Sequence, residues 1–230
     1  MAMKVSVIIP AYNEEGRIGA TVRAVRSIPE VAEVIVVNDG SADATEKEAR
    51  QAGARVLNMP GNSGKGAALN RGIKAASAEI IVFLDGDLGA TAAEARKLIR
   101  PILDGEADMT IARFPPPRRR GGFGVVKGLA AGGIYYCTGL KMQSPISGQR
   151  ALKREVLPYV FPVAGGYGVE VGMTIAAARA GFRILEVPVL MGHRETGRDL
   201  KGFIHRGRQF RDIAFTLLKC LGSRNPARIR

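Results

Sequence analysis

Ile80-Ile81-Val82-Phe83-Leu84-Asp85-Gly86-Asp87 decides how this chain folds: five apolar residues run straight into two acids separated by a glycine. A run so short and so uniformly apolar suits a strand buried on both faces, as the strands of parallel sheets are. The acids then fall on the turn that leaves its carboxyl end. Two carboxylates on such a turn can hold Mg2+ or Mn2+ through one or two oxygens and leave the other positions to diphosphate. An Asp-Gly-Asp alone is more often a plain turn; its place after a buried strand gives it weight.

Three earlier runs have the same Val- and Ile-rich character: Lys4–Pro10, Glu33–Asn38 and Ala54–Asn58. Between them Glu15–Ser27, Thr45–Ala52 and Lys65–Ala76 carry apolar residues at helical spacing. Strand–helix–strand alternation predicts an α/β fold, a mainly parallel sheet flanked by helices. Downstream, Thr91-Ala92-Ala93-Glu94 has the form of a capping box and predicts a helix to about Leu103. Met109–Ala112 and Ile184–Val189 read as further strands, and Val169–Ala180 and Phe203–Leu218 as further helices. Phe114–Gly133, with three prolines, three arginines and frequent glycines, reads as a mobile loop followed by a helix. The expected organisation is one catalytic domain over residues 1–202 and a basic amphipathic helix and tail over residues 203–230.

Ligands of open parallel sheets gather outside the carboxyl ends of the strands. The polar residues of this chain collect there: Pro10-Ala11-Tyr12-Asn13-Glu14, Asn38-Asp39-Gly40-Ser41 and Asp85-Gly86-Asp87. Carboxylates brought that close need a cation or donor groups to offset their repulsion. Gly61-Asn62-Ser63-Gly64-Lys65-Gly66 precedes a helix but is no P-loop, because Lys65 is followed by Gly66 rather than Ser or Thr. Lys65 can still reach a phosphate or base at that helix N-terminus; a plain helix-entry turn is the alternative.

With 230 residues, 46% of them hydrophobic, the chain can bury a substantial core. Two cysteines, Cys137 and Cys220, make no disulfide framework, no secretory leader is evident, and a cytoplasmic setting is expected. The formal charge of +13 favours an anionic partner, and much of the excess lies at Arg113–Arg120 and Arg194–Arg230. A solvated basic face is the bland account of the same charges. Nucleic acid is not expected as the partner: there is no Trp, Tyr is sparse, and no recognition motif is present.

Pro10–Glu14, Asn38–Ser41, Asn62–Gly66, Phe83–Asp87 and Ser147-Gly148-Gln149-Arg150 together resemble, in that order, the family-2 glycosyltransferases of the GT-A fold. The resemblance implies an enzyme that takes a sugar from a nucleotide-diphosphate sugar with Mg2+ or Mn2+. It implies that Pro10, Ala11, Tyr12 and Glu14 line the nucleoside pocket, and that Asp39 contacts base or ribose. Lys65, Asp85 and Gly86 would complete the nucleotide-sugar site, Asp85 lying near the ribose or metal. Asp87 would ligate the metal, and His193, in Gly192-His193-Arg194, would be a further ligand. Glu170, in Gly166-Tyr167-Gly168-Val169-Glu170, would sit beside the acceptor or sugar and serve as base where the acceptor is a hydroxyl. A helix-terminus carboxylate favoured by the dipole is its structural alternative.

Two subfamilies compete over the acceptor. Ala112-Arg113, the basic loop, the helix after it and Ser147–Arg150 resemble polyprenyl-phosphate sugar synthases. Arg194 with Gly197 resembles their late Arg-x-x-Gly element, without the Ser-Lys that usually follows. On that reading Arg113, Ser147, Gly148, Arg150, Arg194 and Lys201 serve the acceptor. The helix from Phe203 would then lie peripherally on the inner face of a membrane. Gly166–Glu170 and His193-Arg194 resemble instead the glucosyl-3-phosphoglycerate synthases, whose acceptor is a small phosphorylated metabolite. The lipid phosphate is the main expectation and the small anion its alternative; a homodimer is compatible with both. A nucleotidyltransferase is disfavoured, because Pro10–Glu14 stands where such enzymes carry a Gly-rich loop.

Overall fold

β1 (Val5–Ala11) pairs in parallel with β2 (Val31–Asn38) on one side and β4 (Ile80–Phe83) on the other, and β3 (Arg55–Asn58) extends the sheet beyond β2. β5 (Met109–Arg113), β6 (Arg150–Lys153) and β7 (Ile184–Pro188) complete a seven-stranded sheet of order β3-β2-β1-β4-β6-β5-β7. β6 runs antiparallel to both neighbours; every other pairing is parallel. The computed structural model describes residues 3–115, 124–163, 166–192 and 200–222.

Eight helices are described: α1 (Ile18–Arg26), α2 (Thr45–Gln51), α3 (Lys65–Ala75), α4 (Ala95–Leu103), α5 (Val125–Thr138), α6 (Leu157–Val160), α7 (Val169–Arg179) and α8 (Leu200–Gly222). Successive strand side chains point to opposite faces. β1 therefore sends Val5, Val7 and Ile9 to a layer with Ile18, Val22 and Val25 of α1 and Leu98, Ile99 and Ile102 of α4. Ile8 goes to the other face, with Leu69 and Ile73 of α3 and Met173 of α7. Both faces are covered, which is why the strands are apolar throughout. Each such buried Val, Ile or Leu contributes roughly 1.5–3 kcal/mol. A third cluster joins Ala130 and Ile134 of α5, Val171 and Ile175 of α7, and Ile213, Leu217 and Cys220 of α8.

Several expectations need correcting. β6 was not foreseen as a strand; its four residues begin with Arg and end with Lys, and only Ala151 and Leu152 carry an apolar signal. The capping box is not formed. Gly89–Glu94 is a 3-10 turn, α4 starts at Ala95, and no side chain caps it. Thr91 Oγ1 instead accepts from Gly192 N and Glu94 Oε2 from Leu190 N, each at 3.0 Å. Those bonds tie the exit of β7 to the turn after Asp87. α8 runs through residue 202, and its buried face closes the third cluster. The mobile loop expected after Phe114 lies largely outside the described residues, and α5 follows it.

At the edge away from these turns, Asp108 fastens three strands. It accepts from Lys153 Nζ at 2.7 Å and from Arg183 Nε and Nη2 at 3.0 Å. Hydrogen bonds from Arg183, against the effect of burial, hold its carboxyl well below the usual carboxylate range.

Candidate active site

Neighbouring parallel strands end at the same edge, so the turns after β2, β1 and β4 meet. The chain bends sharply after β1, where Asn13 adopts φ 55°, a left-handed conformation that Asn tolerates. The bend is fastened to the turn after β2. Asn13 N donates to Ser41 Oγ at 3.0 Å, Ala42 N to Asn13 Oδ1 at 2.9 Å, and Glu14 N to Thr45 Oγ1 at 2.8 Å. Ala11 is buried beneath it and Pro10 half-buried, while Tyr12 is 48% exposed. A held, exposed ring at a strand end offers a flat surface for stacking.

Asp39 is buried, and its two carboxylate oxygens accept from Ser63 N and Gly64 N, each at 2.8 Å. Its observed work is to shape the loop that enters α3. Gly40 is required beside it: φ is +77°, and a Cβ there would come within 2.8 Å of the Gly61 backbone.

That loop delivers Lys65. Its ammonium lies 2.8 Å from Asp85 Oδ1 and 3.5 Å from Glu170 Oε1, and Gln149 Nε2 donates to the other Asp85 oxygen. Desolvation opposes the charge on Lys65, but the two carboxylates outweigh it and raise its pKa well above the ordinary lysine value. Gln149 gets there through the reversed strand. Phe83 of β4 pairs with Arg150 of β6, so the residues entering β6 stand beside those leaving β4. Gly148 is pressed into the same cluster. A Cβ there would meet Lys65 Nζ and lie 3.6 Å from both Asp85 Oδ1 and Glu170 Oε1.

The Asp85-Gly86-Asp87 turn is rigid. Thr21 Oγ1 donates to Gly86 O at 2.8 Å and accepts from Gly89 N at 2.8 Å. A Cβ on Gly86 would lie 3.2 Å from Glu14 Cγ, so the turns after β4 and β1 are packed together. Among the described residues no three His, Cys, Asp or Glu side chains are grouped to hold a metal. The donors present fit a cation bound through one or two carboxylates of this turn, with the other positions left to a diphosphate. Asp87 is half-buried on that turn.

The acceptor residues fare differently. Arg150 is corrected. It is 1% exposed, its Nε donates to Ser147 O at 2.8 Å and its Nη1 to Thr174 Oγ1 at 2.9 Å, so two of its nitrogens are committed beneath the site. Burial pulls its pKa down to about 10, which leaves it cationic at neutral pH. Ser147 is buried above it. Arg113, half-buried at the end of β5, lines a cavity of about 500 Å3 with Lys97, Gln143 and Leu190. His193 and Arg194 lie outside the described residues, and Lys201 falls in the first turn of α8. Gln149 and Thr21 were missed. Gln149 meets a strand-end acid and Thr21 the backbone of the turn that follows it, contacts that exist only once β6 and α1 are placed.

An exposed ring, a loop-holding acid and a paired Asp turn thus meet at the carboxyl edge of adjacent parallel strands, where open α/β sheets bind their ligands. The sequence model of glycosyl transferase family 2 matches residues 6–159, and the chain belongs to that family. It is similar to glucosyl-3-phosphoglycerate synthase of Mycobacterium tuberculosis, at 34% identity over 195 residues, covering 74% of this chain and 60% of that protein. Glycosyltransferase AglJ of Haloferax volcanii is 29% identical over 203 residues, covering 85% of this chain and 65% of that one. The chain thus spans about three-fifths of the length of the curated relatives it matches. A crystal structure of the mycobacterial synthase with Mn2+, UDP-glucose and phosphoglyceric acid superposes with TM-score 0.78 at 31% identity, covering 97% of this chain and 81% of that one. The fold is therefore GT-A, as expected.

Proposed function

We propose that this chain transfers a sugar from a nucleoside-diphosphate sugar of the UDP-glucose kind to a small phosphorylated acceptor, with Mg2+ or Mn2+. The observation that carries the reading is the Lys65 bridge. One ammonium joins Asp85, on the donor side, to Glu170, on the helix that follows the Gly166–Gly168 turn. The names of the relatives support the choice of acceptor, which replaces polyprenyl phosphate as the main reading.

In this reading the nucleoside lies on Tyr12 between the turns after β1 and β2, and the diphosphate reaches the Asp85–Asp87 turn. A divalent cation bound there supplies Lewis-acid neutralisation of the departing diphosphate. Asp87 is its ligand in the described region, with His193 as the further ligand proposed. Lys65 stands where the negative charge grows and offsets it. An acceptor hydroxyl oxygen attacks the anomeric carbon as the bond from that carbon to the diphosphate oxygen breaks, and Glu170 as general base takes the hydroxyl proton. Glu170 orients the acceptor hydroxyl, and Arg113 offers a cation to the acceptor's anionic group. Gln149 and Arg150 hold Asp85 and α7 in place.

A polyprenyl-phosphate acceptor at a membrane surface is the second reading. It draws on α8, where Phe210, Phe215 and Leu218 are exposed beside Arg208, Arg211 and Lys219. No helix of the described residues is long and apolar enough to cross a membrane. The test is nucleoside-diphosphate release from UDP- and GDP-sugars with Mn2+, using 3-phosphoglycerate in one arm and polyprenyl phosphate in anionic vesicles in the other. Release dependent on 3-phosphoglycerate supports the main reading, release only with vesicles the second. Release with neither acceptor, under conditions where UDP raises Tm, sinks both.

A further inference from the structure

Cys137 and Cys220 are distant in sequence but share one place in the fold. On α5, Ala130, Ile134 and Cys137 lie along one helical stripe; on α8, Ile213, Leu217 and Cys220 do the same, and the two stripes belong to one cluster. The helices are in contact at Gly133, where a Cβ would collide with the Leu217 side chain. Cys137 follows Gly133, and Cys220 follows Leu217, by about one helical turn each, roughly 5.4 Å of rise. Arg179 of α7 shows that the two ends run on together: its Nη1 donates to Cys220 O at 2.8 Å and its Nε reaches Cys137 O at 3.5 Å. A disulfide needs Cα atoms roughly 4.4–6.8 Å apart, and a close helix crossing at a glycine, one turn earlier, suits that separation.

We propose that Cys137 and Cys220 form a reversible disulfide that ties the end of α5 to the end of α8. A hydroperoxide is a sufficient oxidant. Cys137, the more exposed thiol, attacks the peroxide as thiolate and becomes a sulfenic acid, releasing water or an alcohol. The Cys220 thiolate then attacks that sulfur, the S–S bond forms, and the hydroxyl leaves as water. Two thiols are oxidised by two electrons, and one peroxide O–O bond is reduced. Burial, and after it the nearby Cys137, push the Cys220 thiol up, so the second step speeds up as pH rises.

The link bears on the site because α8 backs the turn that leads to Glu170. A Cβ at Gly168 would strike Thr216 of α8, and one at Gly166 would lie 3.1 Å from Asp212 Cγ. Cross-linked α8 therefore braces that turn.

The experiment treats the intact purified chain with stoichiometric hydrogen peroxide and reads intact mass, titratable thiols, a non-reducing peptide map and Tm. The expected result is loss of two hydrogens, no titratable thiol, one peptide joining Cys137 to Cys220, and Tm higher by about 5 °C or more, all reversed by dithiothreitol. Cys137→Ser and Cys220→Ser should each abolish the linked peptide; because the linked peptide is sought in the unmodified chain, poor folding of either variant leaves the result intact. Oxygen adducts on separate cysteines, disulfide-linked dimers, or two thiols still titratable would overturn the proposal.

Discussion

Lys65→Met separates the proposed chemistry from the fold. The ammonium is 2.8 Å from Asp85 Oδ1 and 3.5 Å from Glu170 Oε1, and about a third of the Lys65 side chain is exposed. At an effective dielectric constant of about 20, the shorter pair attracts by roughly 6 kcal/mol, but desolvation and solvent screening offset most of it. A pair this exposed contributes about 0–1 kcal/mol to stability. The Tm of the variant should therefore fall by no more than about 4 °C. The reaction is affected more strongly. Losing a held cation where charge develops costs about 3 kcal/mol, or a drop of roughly 100-fold or more in kcat/KM. UDP affinity should fall by about 10-fold, the share of one charge-assisted hydrogen bond. Nucleoside-diphosphate release, with UDP titration by calorimetry on the same sample, measures both. Turnover within threefold of the unmodified chain, in a folded variant, would refute the placement of Lys65 at the departing diphosphate.

Three other perturbations test separate parts of the structure. Gly148→Ala places a methyl against Lys65 Nζ between Asp85 and Glu170; turnover should fall by about 10-fold or more while Tm moves by less than about 4 °C, as the ammonium is displaced without opening the core. Asp87→Ala should remove the Mn2+-dependent part of the Tm rise that UDP produces, and leave the unliganded Tm within about 3 °C, because a half-buried turn carboxylate adds little to the core. Asp108→Asn weakens the bonds to Arg183 and Lys153 and should cost about 2 kcal/mol at pH 7, a Tm loss of roughly 4–8 °C. The Asp108 carboxyl is depressed in the folded state, so its stabilisation is present above the unfolded value of about 4 and fades as pH falls through the folded one. The gap between the melting curves of the two proteins should therefore begin to shrink as pH falls below about 4 and keep shrinking on further acidification; a constant gap would remove the ionic role of Asp108.

The donor half of the molecule was legible because its signals are local. β1, β2 and β4 are buried on both faces and so apolar at nearly every position, and their parallel order follows from the helices between them. The polar turns after them needed only the rule that strand ends share an edge. What failed depends on distant partners. Thr91 and Glu94 have the spacing of a capping box, yet their side chains serve Gly192 and Leu190, about a hundred residues on. Arg150 has the chemistry of a phosphate ligand, yet β6 turns it inward beneath Ser147 and against Thr174.

The reversal of β6 also explains how residues from two parts of the sheet come to share one crevice. β3, β2, β1 and β4 give a parallel, twice-covered donor side whose turns are bonded to one another and so are stiff before any ligand arrives. Had the chain continued in parallel, the residues entering the strand after β4 would have lain at the opposite edge of the sheet. Because β6 runs backward, Ser147–Gln149 arrive at the end of β4, and Thr174, bonded to Arg150, brings α7 with them. Asp85 and Glu170 thereby come within reach of one lysine although they belong to different sides. Lys65 itself is set by the loop that enters α3 and by Asp85 and Glu170, and Gly148, from the segment that joins β5 to β6, packs against its ammonium.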